Sequence, residues 1–234
     1  MVKNHLKATK APITWTLKRK NVKFVIRPLP GKQMKFSMPI ALVFKNLLNK
    51  VTTTKEVKYI LNNQEVLVDG KRKYDVKDVV GLFDVLSLKK SKENFRILLN
   101  EHGKLIAVSI DNKEAGIKLQ RVEDKTIMKK GLVQLNLSDG SNLLVKKDTF
   151  NTKDTIVIDL EKKEVKETIP LEKGSTVMLL KGKFIGQIAK VIDIKEKIMI
   201  LESNKIQFET KKQYAFAIGK DKPIIKIKWM KWEK

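Results

Sequence analysis

From residue 1 to residue 55 the chain carries thirteen Lys and Arg and not one Asp or Glu, the first acid being Glu56. Such a segment has no carboxylates with which to neutralise itself, so it either stays in water or lies against a polyanion. Lys7, Lys10, Lys18, Arg19, Lys20, Lys23, Arg27, Lys32 and Lys35 are interleaved with Trp15, Phe24 and Phe36 and broken by Pro12, Pro28, Pro30 and Gly31. That composition predicts an extended arm that orders only against RNA, its cations meeting phosphates while its rings stack on bases or pack on a neighbouring protein. Trp15 and Phe24 are also open to a second reading, as anchors of the arm to its own domain. The prolines argue against a continuous amphipathic helix on a membrane surface.

The other end is basic too. Between 210 and 234 eight Lys face only Asp221 and Glu233, so the two ends hold +13 and +6 of the chain's +24. Concentration at the termini, rather than uniform basicity, points to extensions lying on a phosphate surface. In the tail, Trp229 and Trp232 serve either as anchors on a partner or as packing against the preceding domain.

Chemistry is scarce by comparison. With no Cys there is no disulfide scaffold, Cys-based zinc site or thiol nucleophile, and His5 with His102 cannot make a multi-histidine centre. The stretch Lys181-Gly182-Lys183-Phe184-Ile185-Gly186 lacks the order of a phosphate-binding loop, and no GxGxxG is present. His102 sits in the turn-like Asn100-Glu101-His102-Gly103, and the central carboxylates alternate with lysines as on a solvated surface. The expectation is therefore no catalytic residue, no metal, no cofactor and no small-molecule substrate. No apolar run approaches the roughly 18 residues of a membrane span, which leads to the expectation of a soluble intracellular chain without membrane partners.

The pattern along the chain predicts an α+β, mostly β architecture. Ser37-Met38-Pro39 reads as a helix start, with Ile40, Val43, Phe44, Leu47, Leu48 and Val51 at helical spacing. Thr53-Thr54-Lys55-Glu56 resembles a capping box, opening a second short helix through Val57, Ile60 and Leu61 that Asn62-Asn63 ends. Val66 and Val68 begin a strand, Asp69-Gly70 turns it, and Lys71-Arg72-Lys73 puts three cations beside that turn. After Gly81, strands are expected at 83–88, 95–99, 105–110, 133–137, 143–147, 155–160 and 165–169, with one short helix from Asp111. Further strands at 176–180, 188–194, 198–201, 206–209 and 214–218, with Gly174, Gly182 and Gly186 between them, suit a small bent barrel. The predicted organisation is a basic N-terminal arm at 1–37, a helix-helix-strand RNA-binding module at 38–102, a β-rich central domain at 103–170, a small barrel at 171–218 and a basic tail at 219–234.

The order of these parts resembles the archaeal and eukaryotic small-subunit ribosomal protein of type four-e, over essentially the whole chain. His5-Leu6-Lys7, Ala11-Pro12, Trp15 and Arg27-Pro28 match the family's N-terminal pattern, and Pro39-Ile40 leads the first helix as in the family. Val66-Leu67-Val68-Asp69-Gly70-Lys71 is similar to the signature of the ribosomal-protein-four RNA-binding superfamily, and Gly81-Leu82-Phe83-Asp84-Val85 to the family's following segment. Residues 173–192 are similar to a KOW module, an SH3-like barrel. The departures are few: Lys181-Gly182-Lys183-Phe184 has one glycine where the family often has two.

The resemblance implies a structural constituent of the small ribosomal subunit in the cytoplasm. Its partners would be small-subunit ribosomal RNA and neighbouring small-subunit ribosomal proteins. The phosphate contacts expected from charge and position are Lys7, Lys10, Lys18, Arg19, Lys20 and Arg27 in the arm. In the compact module they are Lys45, Lys55, Lys58, Lys71, Arg72 and Lys73, and at the barrel turn Lys181 and Lys183. About ten such contacts correspond to a log–log salt slope of roughly −7 to −9. Two other classes compete: a KOW-containing transcription or translation factor that binds RNA transiently, and an RNA-modifying enzyme. The latter, of pseudouridine-synthase type, needs a Gly-Arg-Leu-Asp-like motif, and Gly81-Leu82-Phe83-Asp84 lacks the arginine.

Overall fold

In the computed structural model of the chain, which describes residues 5–20, 22–146, 148–203 and 206–227, Trp15 is completely buried. Its Nε1–H is shared between the carbonyls of Ser37 (2.7 Å) and Met34 (3.2 Å). The basic arm is closed, which corrects the expectation of an extended segment that orders only on RNA. Leu6–Lys7 (β1) pairs antiparallel with Phe24–Val25 (β2), and the Arg19 guanidinium donates to the carbonyls of Ala8 (2.9 Å), Ala11 (3.0 Å) and Pro12 (2.6 Å). Side-chain donors close it: Arg19 adds a second donor to the Ala8 and Pro12 carbonyls, which already accept from the Ala11 (3.3 Å) and Trp15 (3.2 Å) amides, and Trp15 ties the arm to Met34 and Ser37. Phe24 stays 46% exposed, with His5 packed edge-on against it at 5.3 Å, so of the two candidate anchors only Trp15 acts as one.

The chain divides into two units, Met1–Leu98 with Lys104–Ala115 and Leu99–Gly103 with Gly116–Lys234. In the first, the residues read as a helix start form a strand instead: Ser37–Pro39 (β3) pairs with Val79–Gly81 (β6). The helix begins one residue later, as Ile40–Leu42 (α1), and widens at once into a π-helical turn, Val43–Leu47, where the Leu48 amide reaches back to the Val43 carbonyl at 3.0 Å. Ile40, Val43 and Phe44 are fully buried, so their apolar spacing marks the buried face although the turn is wider than α.

Thr54–Asn63 (α2) follows. Then come Val66–Val68 (β4), Lys71–Arg72 (β5), β6, Val85–Leu88 (β7), Glu93–Leu99 (β8), Leu105–Ile110 (β9) and the short Asn112–Ala115 (α3). The strands form a sheet in the order β5-β4-β7-β8-β9. The β4–β5 hairpin has the turn its sequence demands: Asp69 and Gly70 both have positive φ, 51° and 74°, the left-handed pair that an Asp-Gly dipeptide supplies at little cost.

The second unit holds two antiparallel sheets. Ile117–Ile127 (β10), Val133–Leu137 (β11), Asn142–Val145 (β12), Thr155–Asp159 (β13) and Val165–Ile169 (β14) are ordered β12-β11-β10-β13-β14 over a core of Val122, Val133, Leu135, Leu137 and Ile156. Thr176–Leu179 (β15), Ile188–Lys195 (β16), Ile198–Ser203 (β17), Ile206–Lys211 (β18) and Ala215–Gly219 (β19) are ordered β18-β17-β16-β15-β19. At Gly186, with φ of 80°, any Cβ would stand 1.9 Å from the Asn100 carbonyl oxygen, so only glycine fits.

The eleven-residue β10, central in its sheet, is absent from the sequence-based reading. It does not alternate: Lys118, Gln120 and Arg121 are buried beside Leu119 and Val122. Each polar group has a distant partner. Asp139 accepts from Lys118 Nζ (2.9 Å) and Gln120 Nε2 (2.9 Å), while Arg121 donates to Glu123 and to the Ala215 carbonyl (2.7 Å).

Candidate nucleic-acid interface

One cationic surface of the first unit is built on α2. Thr53 caps the helix, its Oγ1 accepting from the Glu56 amide (3.3 Å) while the Glu56 carboxylate accepts from the amides of Thr52 (2.9 Å) and Thr53 (3.4 Å). These donors, the Thr52 amide first, then the Thr53 hydroxyl and amide, hold the Glu56 carboxyl below its ordinary range. Burial of Val57 and Leu61 fixes which side of the helix meets the core. Lys55, Lys58, Tyr59 and Asn62 therefore share the opposite, exposed side at the three- and four-residue spacing of neighbours.

The β4–β5 hairpin extends this stripe. Arg72 Nη2 reaches the Asn62 carbonyl at 3.4 Å, and its guanidinium lies over the Tyr74 ring at 4.8 Å. Tyr59 and Tyr74 are 68% and 61% exposed. A line of cations, Lys55, Lys58 and Arg72, thus runs beside two open aromatic faces, and Glu56, the sole acid of α2, is turned into its own cap.

The remaining predicted residues are placed less uniformly. Lys7, Lys10, Lys18 and Lys20 are exposed on the closed arm, whereas Arg27 is half-buried and Arg19 is engaged by three carbonyls. Lys45 is half-buried and donates to Thr54 Oγ1 (2.8 Å), at the start of α2. Lys71 is exposed, its neighbour Arg72 facing the other side of the strand, and Lys73 lies 3.5 Å from Asp78. In the second unit Lys181 is half-buried, while Lys183 is exposed over the Phe184 ring, which itself stacks on Phe208 at 4.1 Å. Trp229 and Trp232 of the tail lie outside the described residues, as does the last residue of the strand expected at 143–147.

Sequence reasoning missed the tyrosines and the exposed pair Lys90 and Lys92 in the β7–β8 turn. The signals were present: Lys55, Lys58, Tyr59 and Asn62 lie on the side of α2 opposite Val57 and Leu61, and Lys89-Lys90-Ser91-Lys92 is a turn-like basic run.

Compared with known proteins, the chain is 37% identical over 240 residues to the small ribosomal subunit protein eS4 of Methanocaldococcus jannaschii, covering 96% of this chain and 98% of that one. The chain belongs to the ribosomal S4e family. The family model "Ribosomal family S4e" matches residues 91–165 of this S4e chain, and the RS4NT domain model matches residues 2–31. The eS4 protein of Archaeoglobus fulgidus is similar at 34% identity over 236 residues, 97% of this chain and 99% of the relative. Among solved structures, that of the 30S ribosomal protein S4e from Thermoplasma acidophilum has a TM-score of 0.68 at 25% identity, covering 78% of this S4e chain and 95% of that one. The α2–β5 surface of the S4e chain falls between the two segments that the family models match.

Proposed function

We propose that the chain is a structural constituent of the small ribosomal subunit that binds and stabilises small-subunit ribosomal RNA during assembly and translation. It works in the cytoplasm, alongside neighbouring small-subunit ribosomal proteins, and performs no catalysis. The observation that carries this reading is the near full-length likeness to small ribosomal subunit proteins eS4, at 37% identity. The exposed lysines of the arm and the cation–tyrosine stripe of α2 and β5 give it physical support, because a chain of net charge +24 with such faces gains from phosphate neutralisation.

In this reading residues 1–37 are a basic arm and 38–102 an RNA-binding module of the ribosomal-protein-four type. Residues 103–170 are a β-rich central domain, 171–218 a KOW-type barrel and 219–234 a basic tail. The order β18-β17-β16-β15-β19 and the glycine turn at Gly186 agree with the barrel assignment. The arm, pre-folded by Trp15 and Arg19, presents Lys7, Lys10, Lys18 and Lys20 to phosphates, and the module contributes Lys55, Lys58 and Arg72. Sedimentation tests the role. The tagged chain should travel with small subunits at one copy per particle through a moderate-salt wash. Release by that wash would instead favour a transiently bound KOW-containing factor.

A further inference from the structure

We infer that the α2–β5 stripe takes unpaired bases of folded RNA, through Tyr59 and Tyr74, and not only the phosphates of a helix. This rests on the RNA-binding reading above and goes beyond it by naming the part of the RNA that this surface accepts. Neutralising phosphate needs cations alone, which Lys55, Lys58 and Arg72 supply. Tyr59 and Tyr74 add no charge for that purpose, yet stand 68% and 61% exposed beside those cations, and their hydroxyls alone would not need the rings. Neither ring is spent on the core, which at α2 is made by Val57 and Leu61.

The arrangement suits a base. Arg72 is fixed between the Asn62 carbonyl (3.4 Å) and the Tyr74 ring (4.8 Å), so a planar guanidinium and a planar ring are layered in advance, and the ring remains open beyond that contact. Base–aromatic stacking and the guanidinium plane both reward an unstacked base, whereas in duplex RNA the base faces are covered by their neighbours. Tyr59 stands one helical turn before Asn62 on the same side of α2, so the two rings line one path with Lys55 and Lys58 along it. A polyanion is favoured over a protein surface because the acids nearby are occupied: Glu56 caps the helix, Glu65 pairs with Lys89 at 2.7 Å, Asp78 with Lys73, and Asp75 accepts from the Lys77 amide at 2.9 Å.

The test is equilibrium binding of the full chain to single-stranded polyadenylate and to a blunt RNA duplex of the same length, each across a salt series. Tyr59→Ala and Tyr74→Ala should each weaken single-strand binding about tenfold, within the range that stacking of one base supplies. Duplex affinity and both salt slopes should stay unchanged. Tyr59→Phe and Tyr74→Phe, which keep the ring, should bind like the wild type, which also controls for folding. Lys55→Ala with Lys58→Ala should weaken both ligands and flatten both slopes. Tyrosine variants that bind the single strand as the wild type does, or lose duplex affinity equally, would overturn the inference while leaving the RNA-binding reading intact. A wild-type chain that binds neither RNA nor the small subunit at low ionic strength would end both.

Discussion

Trp15 carries two separable contributions, the volume it fills and the donor it supplies. Trp15→Phe keeps much of the volume but takes the N–H from the Ser37 and Met34 carbonyls, a loss of about 1–3 kcal/mol. Trp15→Ala also opens a cavity and should cost about 3–5 kcal/mol, both read from urea unfolding of the full chain. Asp139 offers a pH-dependent test in the second unit. Burial acts to raise its pKa, but the Lys118 ammonium and the Ser141 hydroxyl and amide outweigh burial and leave the carboxyl below its ordinary value of 3.8. A folded pKa below the unfolded one means that the unfolded chain takes up protons first as pH falls. The stabilisation is therefore complete above the unfolded value and is lost as pH drops through the lowered one. Asp139→Asn, which takes the carboxylate from the Lys118 ammonium, should cost about 3 kcal/mol near neutral pH. The gap in thermal midpoint between wild type and variant should start to narrow below about pH 4 and close only as pH falls through the lowered pKa. A gap that holds constant into acid would contradict the ion pair.

Elements whose cause lies within a few residues could be read in advance. The capping box of α2 is set by Thr53 and Glu56, and the β4–β5 hairpin by Asp69-Gly70. Thr53→Ala should accordingly cost about 1 kcal/mol and fray the start of α2, visible as faster amide exchange at Glu56 and Val57. Gly186→Ala drives a Cβ into the Asn100 carbonyl and should destabilise the second unit by more than about 2 kcal/mol in the same unfolding measurement. Strand β10 lay beyond such reasoning. Its buried Arg121 is satisfied by a carbonyl 94 residues away, so nothing in the local pattern marks the position as interior. The arm is the opposite case: its prolines suggest openness, whereas the Arg19 guanidinium and the Trp15 indole, which no local spacing marks as ties, hold it closed through carbonyls of Ala8, Ala11, Pro12, Met34 and Ser37. At the interface the cations were visible in the sequence. Tyr59 follows from its place on α2 opposite Val57 and Leu61, whereas Tyr74 does not, because its exposure beside Arg72 is set by how the β4–β5 hairpin meets α2.

Charge organises the molecule as a whole. The chain neutralises only part of its acid-free N-terminal stretch, Lys32 pairing with Asp69 and Asp84 and Lys50 with Glu93, and leaves Lys7, Lys10, Lys18 and Lys20 exposed, so its net +24 suits a polyanion. Lys18→Ala combined with Lys20→Ala, both exposed, should reduce the steepness of the salt dependence of RNA binding by about 1.5 and leave stability unaltered. Arg19→Ala, between them, should instead lower stability, since its guanidinium holds the arm closed. The most direct measurement is the affinity of the full chain for folded small-subunit ribosomal RNA over a range of ionic strength. A constituent held by about ten phosphate contacts should show a log–log slope of roughly −7 to −9. No binding at low salt, or a slope near zero, would contradict the ribosomal reading.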